Sequence, residues 1–432
     1  MLTTKYVRDH ADAIRESLKK RGSDYPLDEL LDLDAKARKT MTEQQQLQAE
    51  RNKATLAVSE KRKRGESADR EIAALKGVKD RVDALDRALS EQQERIERLL
   101  WNVPNVLDGS VPVGNPPDAS KVLKRWGEPK QRSVGAHEDI LEKLGMLDME
   151  RAAKVAGSRF YYMRGDLVLL EQSLSRYALD FMAKRGYTAV LPPFMLRKRY
   201  YRGVAPLATF EDALYRAEEA SEADAAQGIE HMDDELFMIG TAEHPLAAMH
   251  AEEVFPAKDL PLKYAGISPC FRREAGSHGK DQKGIFRVHQ FDKVEQFILC
   301  RQEDEQRYFD ELIGNTEGIW QSLGIPYQLL LLCSGDTGHQ MSKTIDVEAW
   351  FPGQKAYREL GSCSSAKDWQ SVRLDIKYDD KGERKYVYTL NNTAIAVERA
   401  LACIVENYVN DDGSVTVPDA LVPYMGKGRI GR

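Results

Sequence analysis

The segment FRREAGSHGKDQKGIFRVHQFDKVEQF at 271–297 places many charged residues in two stretches with strand-like alternation. Side chains two residues apart in a strand point to the same face. One face of the first strand would therefore carry Arg272 and Glu274. The same alternation groups four side chains of the returning strand: Arg287, His289, Phe291 and Glu295. Because charges are buried only when they are paired or bound to a ligand, we interpret this face as a binding site. The alternative is a salt-bridged lattice on an exposed sheet face.

The loop between the two strands, AGSHGKDQKG, is too long and too polar for a tight hairpin turn. We predict that it forms a mobile flap carrying Lys280 and Lys283.

Three further stretches carry polar residues beside apolar patterns. GTAEHP at 240–245 places Thr241 and Glu243 at the end of a predicted strand. YRELGSCS at 357–364 places Glu359 and Ser362 after an apolar run. TLNNTAIAVERALACIVENY at 389–408 is interpreted as a strand end, a polar turn and an amphipathic helix that carries Arg399. Such an arginine either forms a buried structural pair or stacks on an aromatic group and clamps phosphate.

Together these residues supply arginines, carboxylates, hydroxyls and one aromatic platform. The chain has no GxSxG and no GxxxxGK[ST] pattern, so covalent hydrolase chemistry and a P-loop are unsupported. Its five cysteines form no CxxC pair and no zinc-type spacing, so they are expected to be reduced thiols and no zinc is expected. The set fits an anionic nucleotide held by arginines, with a metal held by carboxylate.

The overall composition is that of a soluble globular protein. Of 432 residues, 42% are hydrophobic and 31% are charged, and no apolar run approaches the roughly 20 residues that span a bilayer. The N-terminus has no secretory or transit pattern, so we expect a cytoplasmic protein without a membrane partner. Because the net charge is −6, binding of nucleic acid must rest on a local basic patch.

A long helical hairpin is predicted at about 27–100. Its second half has apolar residues at heptad spacing: Leu75, Val78, Val82, Leu85, Leu89, Ile96 and Leu99. The stripe of the first half is weaker: Leu30, Ala37, Met41, Leu47, Ala54 and Val58. The turn is placed at KRKRGESAD, around Gly65. Near it, residues 51–64 hold six bases and one acid, which is either a solvated helix face or a phosphate-binding surface.

The chain is divided on this basis into an N-terminal domain at 1–110, a Pro- and Gly-rich linker at 111–135 and a mixed α+β domain at 136–432. An acidic insertion at 215–235 is expected on the surface.

These motifs resemble those of the seryl-tRNA synthetases, which are class II aminoacyl-tRNA synthetases. The 271–297 segment is similar to motif 2, GYTAVLPPFMLRK at 186–198 to motif 1 with its proline at Pro192 or Pro193, and LNNTAIAVERAL at 390–401 to motif 3. GTAEHPL is similar to the serine-binding TxE segment of the family. The helical arm, the VPNV and VPVG segments and the C-terminal VPDALVPYMGKGRIG also match, so the resemblance covers essentially the whole chain in order.

The resemblance implies an antiparallel catalytic sheet flanked by helices, a coiled-coil arm and a homodimer with motif 1 at its interface. It implies the ligation of L-serine to tRNA(Ser) through seryl-adenylate, with ATP converted to AMP and pyrophosphate, and serylation of tRNA(Sec) where that tRNA exists. Magnesium accompanies ATP, the enzyme is of the common non-zinc type, and no DNA partner is expected.

Roles for individual residues follow from the same resemblance. Arg272 and Arg399 are the candidate catalytic residues. The candidate ATP-binding residues are Arg272, Arg273, Glu274, Arg287, Val288, Phe291, Glu359, Leu360, Gly361, Ser362 and Arg399. The candidate serine-binding residues are Thr241, Ala242, Glu243, Arg272, Glu295, Asn391 and Thr393. Glu359 and Ser362 would hold Mg²⁺. The candidate tRNA-binding residues are Arg51, Lys53, Lys61, Arg62, Lys63 and Arg64.

Some residues depart from the family pattern. The motif 3 turn reads NNT where many relatives have NGS, so Asn392 is expected to alter the turn. Glu398 stands where relatives often have a small residue, and Ser364-Ser365 replaces a Ser-Asn pair. Three alternatives remain: a non-catalytic paralogue that binds RNA, a carrier-protein aminoacyl ligase, which would lack the arm, and a purely structural coiled-coil protein, which would leave most of the chain unexplained.

Overall fold

The structure is a computed structural model, and it describes residues 2–206, 211–217, 235–274 and 283–431. The chain divides into two compact units, Met1–Pro104 and Asn105–Arg432. Among the described helices, none combines the length and the apolar character that a membrane crossing requires. Residues 275–282 of the predicted flap and most of the acidic insertion lie outside the described residues.

The first unit is helical. Two short helices precede two long ones: α1 (Thr4–Asp9), α2 (Ala11–Arg21), α3 (Leu27–Lys63) and α4 (Asp69–Asn102). The long helices are antiparallel, because Glu43 lies 3.2 Å from Arg81 and the Tyr25 hydroxyl donates to the Leu99 carbonyl at 2.9 Å. The turn falls at Gly65, whose φ of 73° is a conformation that glycine adopts without steric cost. The predicted coiled-coil arm is thus confirmed.

The heptad stripe of α4 faces its partner helix. Every residue of the predicted stripe is buried or half-buried, with Val82 and Ile96 the most buried. In α3 the prediction is wrong at Met41, which is 38% exposed. Gln44 is half-buried instead, and its side-chain amide bonds to Asp86 at 2.5 Å. Gln44 therefore takes a partly buried place among the apolar residues of α3, which explains the weaker stripe of that helix.

The second unit is built on an eight-stranded sheet. In chain order its strands are β1 (Lys121–Trp126), β2 (Thr188–Val190), β3 (Leu262–Phe271), β4 (Gln290–Cys300), β5 (Tyr327–Leu331), β6 (Lys343–Phe351), β7 (Ala356–Lys367) and β8 (Tyr388–Ala396). The order across the sheet is β1-β5-β6-β7-β8-β4-β3-β2. All neighbours are antiparallel except β2 and β3, which are parallel. The predicted antiparallel class is confirmed.

Helices and short strands surround this sheet. The helices are α5 (His137–Lys143), α6 (Met149–Ala156), α7 (Asp166–Ala183), α8 (Lys198–Val204), α9 (Glu243–Ala248), α10 (Glu305–Ser322), α11 (Trp369–Leu374), α12 (Val397–Tyr408) and α13 (Val422–Met425). The short strands are Leu147–Asp148, Tyr162–Met163, Met195–Arg197, Arg216–Ala217, Leu236–Met238, Val254–Pro256, Lys377–Asp380, Glu383–Tyr386, Val415–Thr416 and Arg429–Ile430. Single 3₁₀ turns lie at Glu211–Ala213, Ala257–Asp259, Gln302–Asp304 and Asp419–Leu421.

Strand β4 contributes to two apolar cores. Val294 and Ile298 pack into a large core with α7, α10 and α12, whereas Phe297 and Leu299 pack into a smaller core with α8 and α9. A strand that is buried on both sides cannot shift its register without exposing apolar side chains, so β4 is a rigid support for the polar residues that it carries.

Two local features differ from the sequence-based expectations. Residues 121–126, inside the predicted linker, form the edge strand β1 against β5. The expected polar turn at 391–393 is wrong: these residues lie within β8 and are buried. Since the Asn392 side chain donates to the Leu312 carbonyl at 2.7 Å and to the Thr316 hydroxyl at 2.9 Å, the strand can carry an amide there.

All five cysteines are buried and unpaired with one another. Burial raises the pKa of Cys270 to about 11 and raises the pKa of Cys363 and Cys403 well above the ordinary value.

Candidate active site

The two strands of the 271–297 segment, β3 and β4, do not include all the charged residues that were predicted to lie in them. Strand β3 ends at Phe271 and β4 begins at Gln290, so Arg272, Glu274 and Arg287 lie just beyond the strands. The pairing nevertheless continues for one residue, because the Arg272 amide donates to the His289 carbonyl at 2.9 Å. Charged side chains lie where the backbone leaves the ladder, because there they can reach a ligand instead of a core.

Nearly all the residues predicted to bind ATP or serine line one cleft of about 280 Å³. The predicted residues that line it are Thr241, Glu243, Arg272, Glu274, Arg287, Val288, Phe291, Glu295, Glu359, Leu360, Gly361, Ser362, Asn391, Thr393 and Arg399. Ala242 and Arg273 do not line it, and Arg273 is exposed to solvent. Four separate stretches of the chain thus converge on one cavity.

One region of the cleft, which we call the arginine end, consists of Arg272, Glu274, Arg287, Glu359 and Arg399. Arg287 donates to the Glu274 carboxylate at 2.8 Å. The Arg399 guanidinium lies 3.2 Å from the Glu359 carboxylate, and its positive charge lowers the pKa of Glu359. These carboxylates bind Arg287 and Arg399, which line the cavity where an anionic ligand could meet them.

Two aromatic rings lie beside these arginines. The Arg272 guanidinium is 5.2 Å from the ring centre of Phe291, and the Arg399 guanidinium is 5.1 Å from that of Phe286. Both distances suit cation–π contact. Phe286 was not predicted as a site residue, because the strand alternation that groups Arg287 with Phe291 places Phe286 on the other face.

A second region of the cleft, which we call the acidic end, consists of Thr241, Glu243, Lys293 and Glu295. All four side chains are buried. The Thr241 hydroxyl donates to Glu295 at 3.4 Å, and Lys293 forms an ion pair with the same carboxylate. Lys293 was missed, although its alternation with Phe291 and Glu295 along β4 could have identified it.

Glu243 is the first residue of α9, and its environment is unusual. Burial, together with the neighbouring carboxylate of Glu295, raises its pKa to about 7. The Gln370 amide donates to Glu243 at 2.8 Å. The group is therefore close to half-ionised near neutral pH, and a cation in the cleft would favour its charged form.

The backbone around Glu243 is fixed by a buried pair. His244 Nδ1 lies 2.8 Å from the Tyr201 hydroxyl, and burial lowers the pKa of His244 to about 3, so the imidazole is neutral. The Tyr201 hydroxyl also accepts from the Gly240 amide at 3.2 Å, and the Gly240 carbonyl accepts from Arg272 Nε at 3.1 Å. The two ends of the cleft are thereby joined through one short segment.

Glu398, noted as a departure from the family pattern, also lines the cleft. It accepts from the Asp292 amide at 2.8 Å and from the Tyr161 hydroxyl, and burial raises its pKa to about 8. These bonds tie α12 to β4 beside Arg399. The residue is therefore a structural link between motifs 2 and 3.

The predicted tRNA-binding residues lie along the last turns of α3. Arg51 and Lys61 are partly exposed, and Lys53, Arg62, Lys63 and Arg64 are exposed. Their positive charges thus face solvent at the turn of the helical hairpin.

Comparison with known proteins identifies both parts of the chain. A family model for the seryl-tRNA synthetase N-terminal domain matches residues 1–107, and one for the class II tRNA synthetase core domain (G, H, P, S and T) matches residues 224–408. The serine–tRNA ligase of Cenarchaeum symbiosum is 44% identical over 437 residues, covering 100% of both chains. That of Nitrosopumilus maritimus is 41% identical over 430 residues, covering 99% of each.

A solved structure of the same family is similar to this chain over its whole length. The crystal structure of seryl-tRNA synthetase from Pyrococcus horikoshii complexed with ATP has a TM-score of 0.92 at 40% identity, and the match covers 100% of this chain and 99% of that one. Full-length identity at this level, together with the convergence of the motif residues on one cleft, leads to one conclusion: the chain belongs to the seryl-tRNA synthetases, the class II enzymes that join serine to tRNA.

Proposed function

We propose that this enzyme makes seryl-adenylate from L-serine and ATP, releases pyrophosphate, and then transfers the seryl group to the 3′ end of tRNA(Ser). The observation that carries the proposal is the cleft itself, in which arginines and carboxylates from four stretches of the chain face one cavity. The ATP in the related Pyrococcus horikoshii structure supports the choice of nucleotide.

Arg272 and Arg399 are the proposed catalytic residues. Arg272 holds the α-phosphate and stabilises the charge that develops on it as the serine carboxylate attacks. This is electrostatic catalysis by positioning, with little acid–base work. Phe291 stacks on adenine, and Arg399 covers the other adenine face and reaches the γ-phosphate.

The remaining proposed ATP contacts are made by the other residues of the arginine end and their neighbours. Glu274 accepts from the adenine amino group. The further ATP-binding residues are Arg273, Arg287, Val288, Glu359, Leu360, Gly361 and Ser362.

Glu359 and Ser362 are the proposed Mg²⁺ ligands. Both present oxygen donors to the cleft, which is the chemistry that Mg²⁺ prefers, and Mg²⁺ is usually held by one or two carboxylates together with phosphates. Asp346 lies opposite Ser362 in the β6–β7 pairing, and its buried Oδ1 has no hydrogen-bond partner among the described residues. The residues present therefore fit the ion, which when bound would neutralise phosphate charge.

The acidic end is the proposed serine pocket. Thr241, with Ala242, and Glu243 meet the serine ammonium group, and Glu295, with Asn391 and Thr393, meets its hydroxyl. Arg272 meets the carboxylate. A pocket that hydrogen-bonds a hydroxyl rejects an analogue without it, because its polar groups are left unpaired. We therefore expect strong rejection of alanine, and rejection of threonine by size.

The helical arm is the proposed tRNA contact. Residues 1–110 serve as the tRNA-binding part and 136–432 as the catalytic part. Arg51, Lys53 and the basic run Lys61–Arg64 contact phosphates of tRNA(Ser), and of tRNA(Sec) where it exists. Such contacts read the shape of an RNA more than its sequence.

The enzyme is proposed to work as a cytoplasmic homodimer with motif 1 at its interface. Strand β2 of motif 1 is an edge strand of the sheet, and apolar side chains just beyond it are exposed: Leu191 at 73%, Met195 at 42% and Phe194 at 37%. An unpaired edge flanked by exposed apolar side chains supports an interface there.

Serine-dependent exchange of pyrophosphate into ATP tests the proposed reaction. The assay compares serine with threonine, alanine and cysteine. We expect exchange with serine alone. Absence of exchange with all four amino acids, in a folded protein, would contradict the proposal and favour the RNA-binding paralogue.

A further inference from the structure

A buried side-chain amide contacts the acidic end, and none of the roles proposed above is assigned to it. Gln370 lies in α11 and is 0% exposed. Its Nε2 is 2.8 Å from Glu243 Oε1 and 3.1 Å from the Val204 carbonyl oxygen, and its Oε1 accepts from the Thr389 hydroxyl at 2.6 Å. The amide therefore connects three elements, α8, α9 and β8, at one point behind the cleft.

The orientation of this amide is fixed by its partners. A backbone carbonyl can only accept a hydrogen bond, so the atom that faces Val204 must be the nitrogen. The Thr389 hydroxyl then has the amide oxygen as its acceptor. Gln370 can consequently only donate to Glu243, and a flipped amide would place two acceptors against each other.

This orientation determines what Glu243 can do. Its Oε1 is engaged as an acceptor, which leaves Oε2 for a ligand in the cleft. The charged groups around it are the carboxylate of Glu295 and the cations Lys293 and Arg272, while His244 beside it is neutral. A donor behind a buried carboxylate favours its charged form, and this is the form that attracts an ammonium group.

We propose that Gln370 is a positioning residue for amino-acid binding: it holds the Glu243 carboxylate as an acceptor directed at the α-ammonium group of serine. The inference rests on the proposed role of Glu243 in the serine pocket. Thr389 acts indirectly: its hydroxyl orients the Gln370 amide, and that amide orients the Glu243 carboxylate.

The test is the pyrophosphate-exchange reaction of the full-length Gln370→Met variant, which keeps the side-chain length and removes the donor. We expect the KM for serine to rise about 10- to 100-fold, the loss typical of one hydrogen bond to a charged group. The KM for ATP should change less than about twofold. Because the lost donor had lowered the pKa of Glu243, the rise of kcat/KM for serine with pH should move to higher pH.

Gln328→Met is a matched control. Gln328 is also buried, and its amide donates to the half-buried carboxylate of Glu348 at 2.6 Å, but neither residue lines the cleft. The same chemical change there should leave the KM for serine and its pH profile unchanged. Equal rises in the KM for serine from both variants would overturn the proposal, because they would indicate a general loss of packing.

Two further variants keep the test decisive. Thr389→Val removes only the hydroxyl that orients the amide, and it should raise the KM for serine in the same direction by a smaller factor, which provides the test if Gln370→Met does not fold. A folded variant at either position with the parental KM for serine would contradict the positioning role. Glu243→Gln tests the proposed pocket separately. If this variant leaves the KM for serine unchanged, Glu243 is not the ammonium ligand, regardless of the result for Gln370→Met.

Discussion

The helical unit and the sheet-based unit use charge in opposite ways. In α3 and α4 most charged side chains are exposed, and the basic residues near the turn face water. In the cleft the charges are buried or half-buried and paired, as with Lys293 and Glu295 or Arg399 and Glu359. Exposed charges act over a Debye length and are screened by salt, whereas buried charges act at contact distance and discriminate between ligands. The difference predicts separable functions: the arm governs encounter with tRNA, and the cleft governs chemistry.

The largest effect is expected from the cleft. Arg272→Ala should lower serine-dependent pyrophosphate exchange by at least about 100-fold, because it removes a donor aimed at the charge that develops during reaction. Arg176→Ala is the control, since the Arg176 side chain is 69% exposed and forms an ion pair with Asp180 one turn away. Normal exchange by a folded Arg272→Ala protein would show that the charge of the cleft does not drive the chemistry.

The next effect separates the two units. Replacing residues 35–90 by a short Gly-Ser turn keeps the Glu29–Arg95 and Arg8–Asp34 contacts while removing most of α3 and α4. Adenylate formation should remain within about twofold, and kcat/KM for tRNA should fall by about 100-fold or more because many phosphate contacts are lost. Adenylate formation and tRNA aminoacylation are measured on the same preparation. An equal loss of both would contradict separate roles for the arm and the cleft.

A smaller effect concerns pH. Glu243 has a pKa of about 7 and must be ionised to attract an ammonium group. kcat/KM for serine should therefore rise about tenfold from pH 6 to pH 8, as the ionised fraction of a group with that pKa does. The measurement is the exchange rate at low serine concentration. Glu243→Gln should flatten the profile, and an unchanged slope in that variant would assign the titration to another group.

The smallest effect is expected at the arm. Replacing Lys61, Arg62, Lys63 and Arg64 by Gln should reduce the slope of log K against log salt for tRNA binding by up to about three, because each lost phosphate contact removes about 0.7–0.9. A control variant with four Lys or Arg residues on the exposed face of α4 replaced by Gln gives the slope expected from loss of charge alone. If the slope stays at its parental value, the run is a solvated helix face and contributes nothing to RNA binding.

The two units also differ in how far their sequences predict them. The α4 stripe from Leu75 to Leu99 was predicted correctly because its partners repeat along one helix, and heptad spacing reports them directly. Met41 was misplaced because Gln44, which bonds to the exposed Asp86, is the partly buried residue there, and a hydrophobic pattern cannot show a polar contact between helices. The contacts between α3 and α4 can thus be predicted from the sequence where they are apolar and recur at heptad spacing.

The site was predictable for a different reason. The motif residues were found because residue types and spacing resemble a known family. Lys293 could have been found from alternation in β4, but Gln370 could not. Its importance comes from three partners, Val204, Glu243 and Thr389, that are brought together only by the folded chain. The course of β8 through 391–393 was missed for the same reason, because α10 supplies the partners of Asn392.

The burial of the five cysteines gives the enzyme a practical property. A thiol reacts as its thiolate, and a dye must reach it. Burial shields all five cysteines and raises the pKa of Cys270, Cys363 and Cys403, so they are poor targets for alkylating dyes in the folded protein. A single Leu56→Cys substitution, at a side chain that is 67% exposed on α3, would then create the preferred attachment point for a fluorophore without removal of any native cysteine. The fluorescence of such a label would report whether tRNA changes the surroundings of α3 in an otherwise unaltered enzyme.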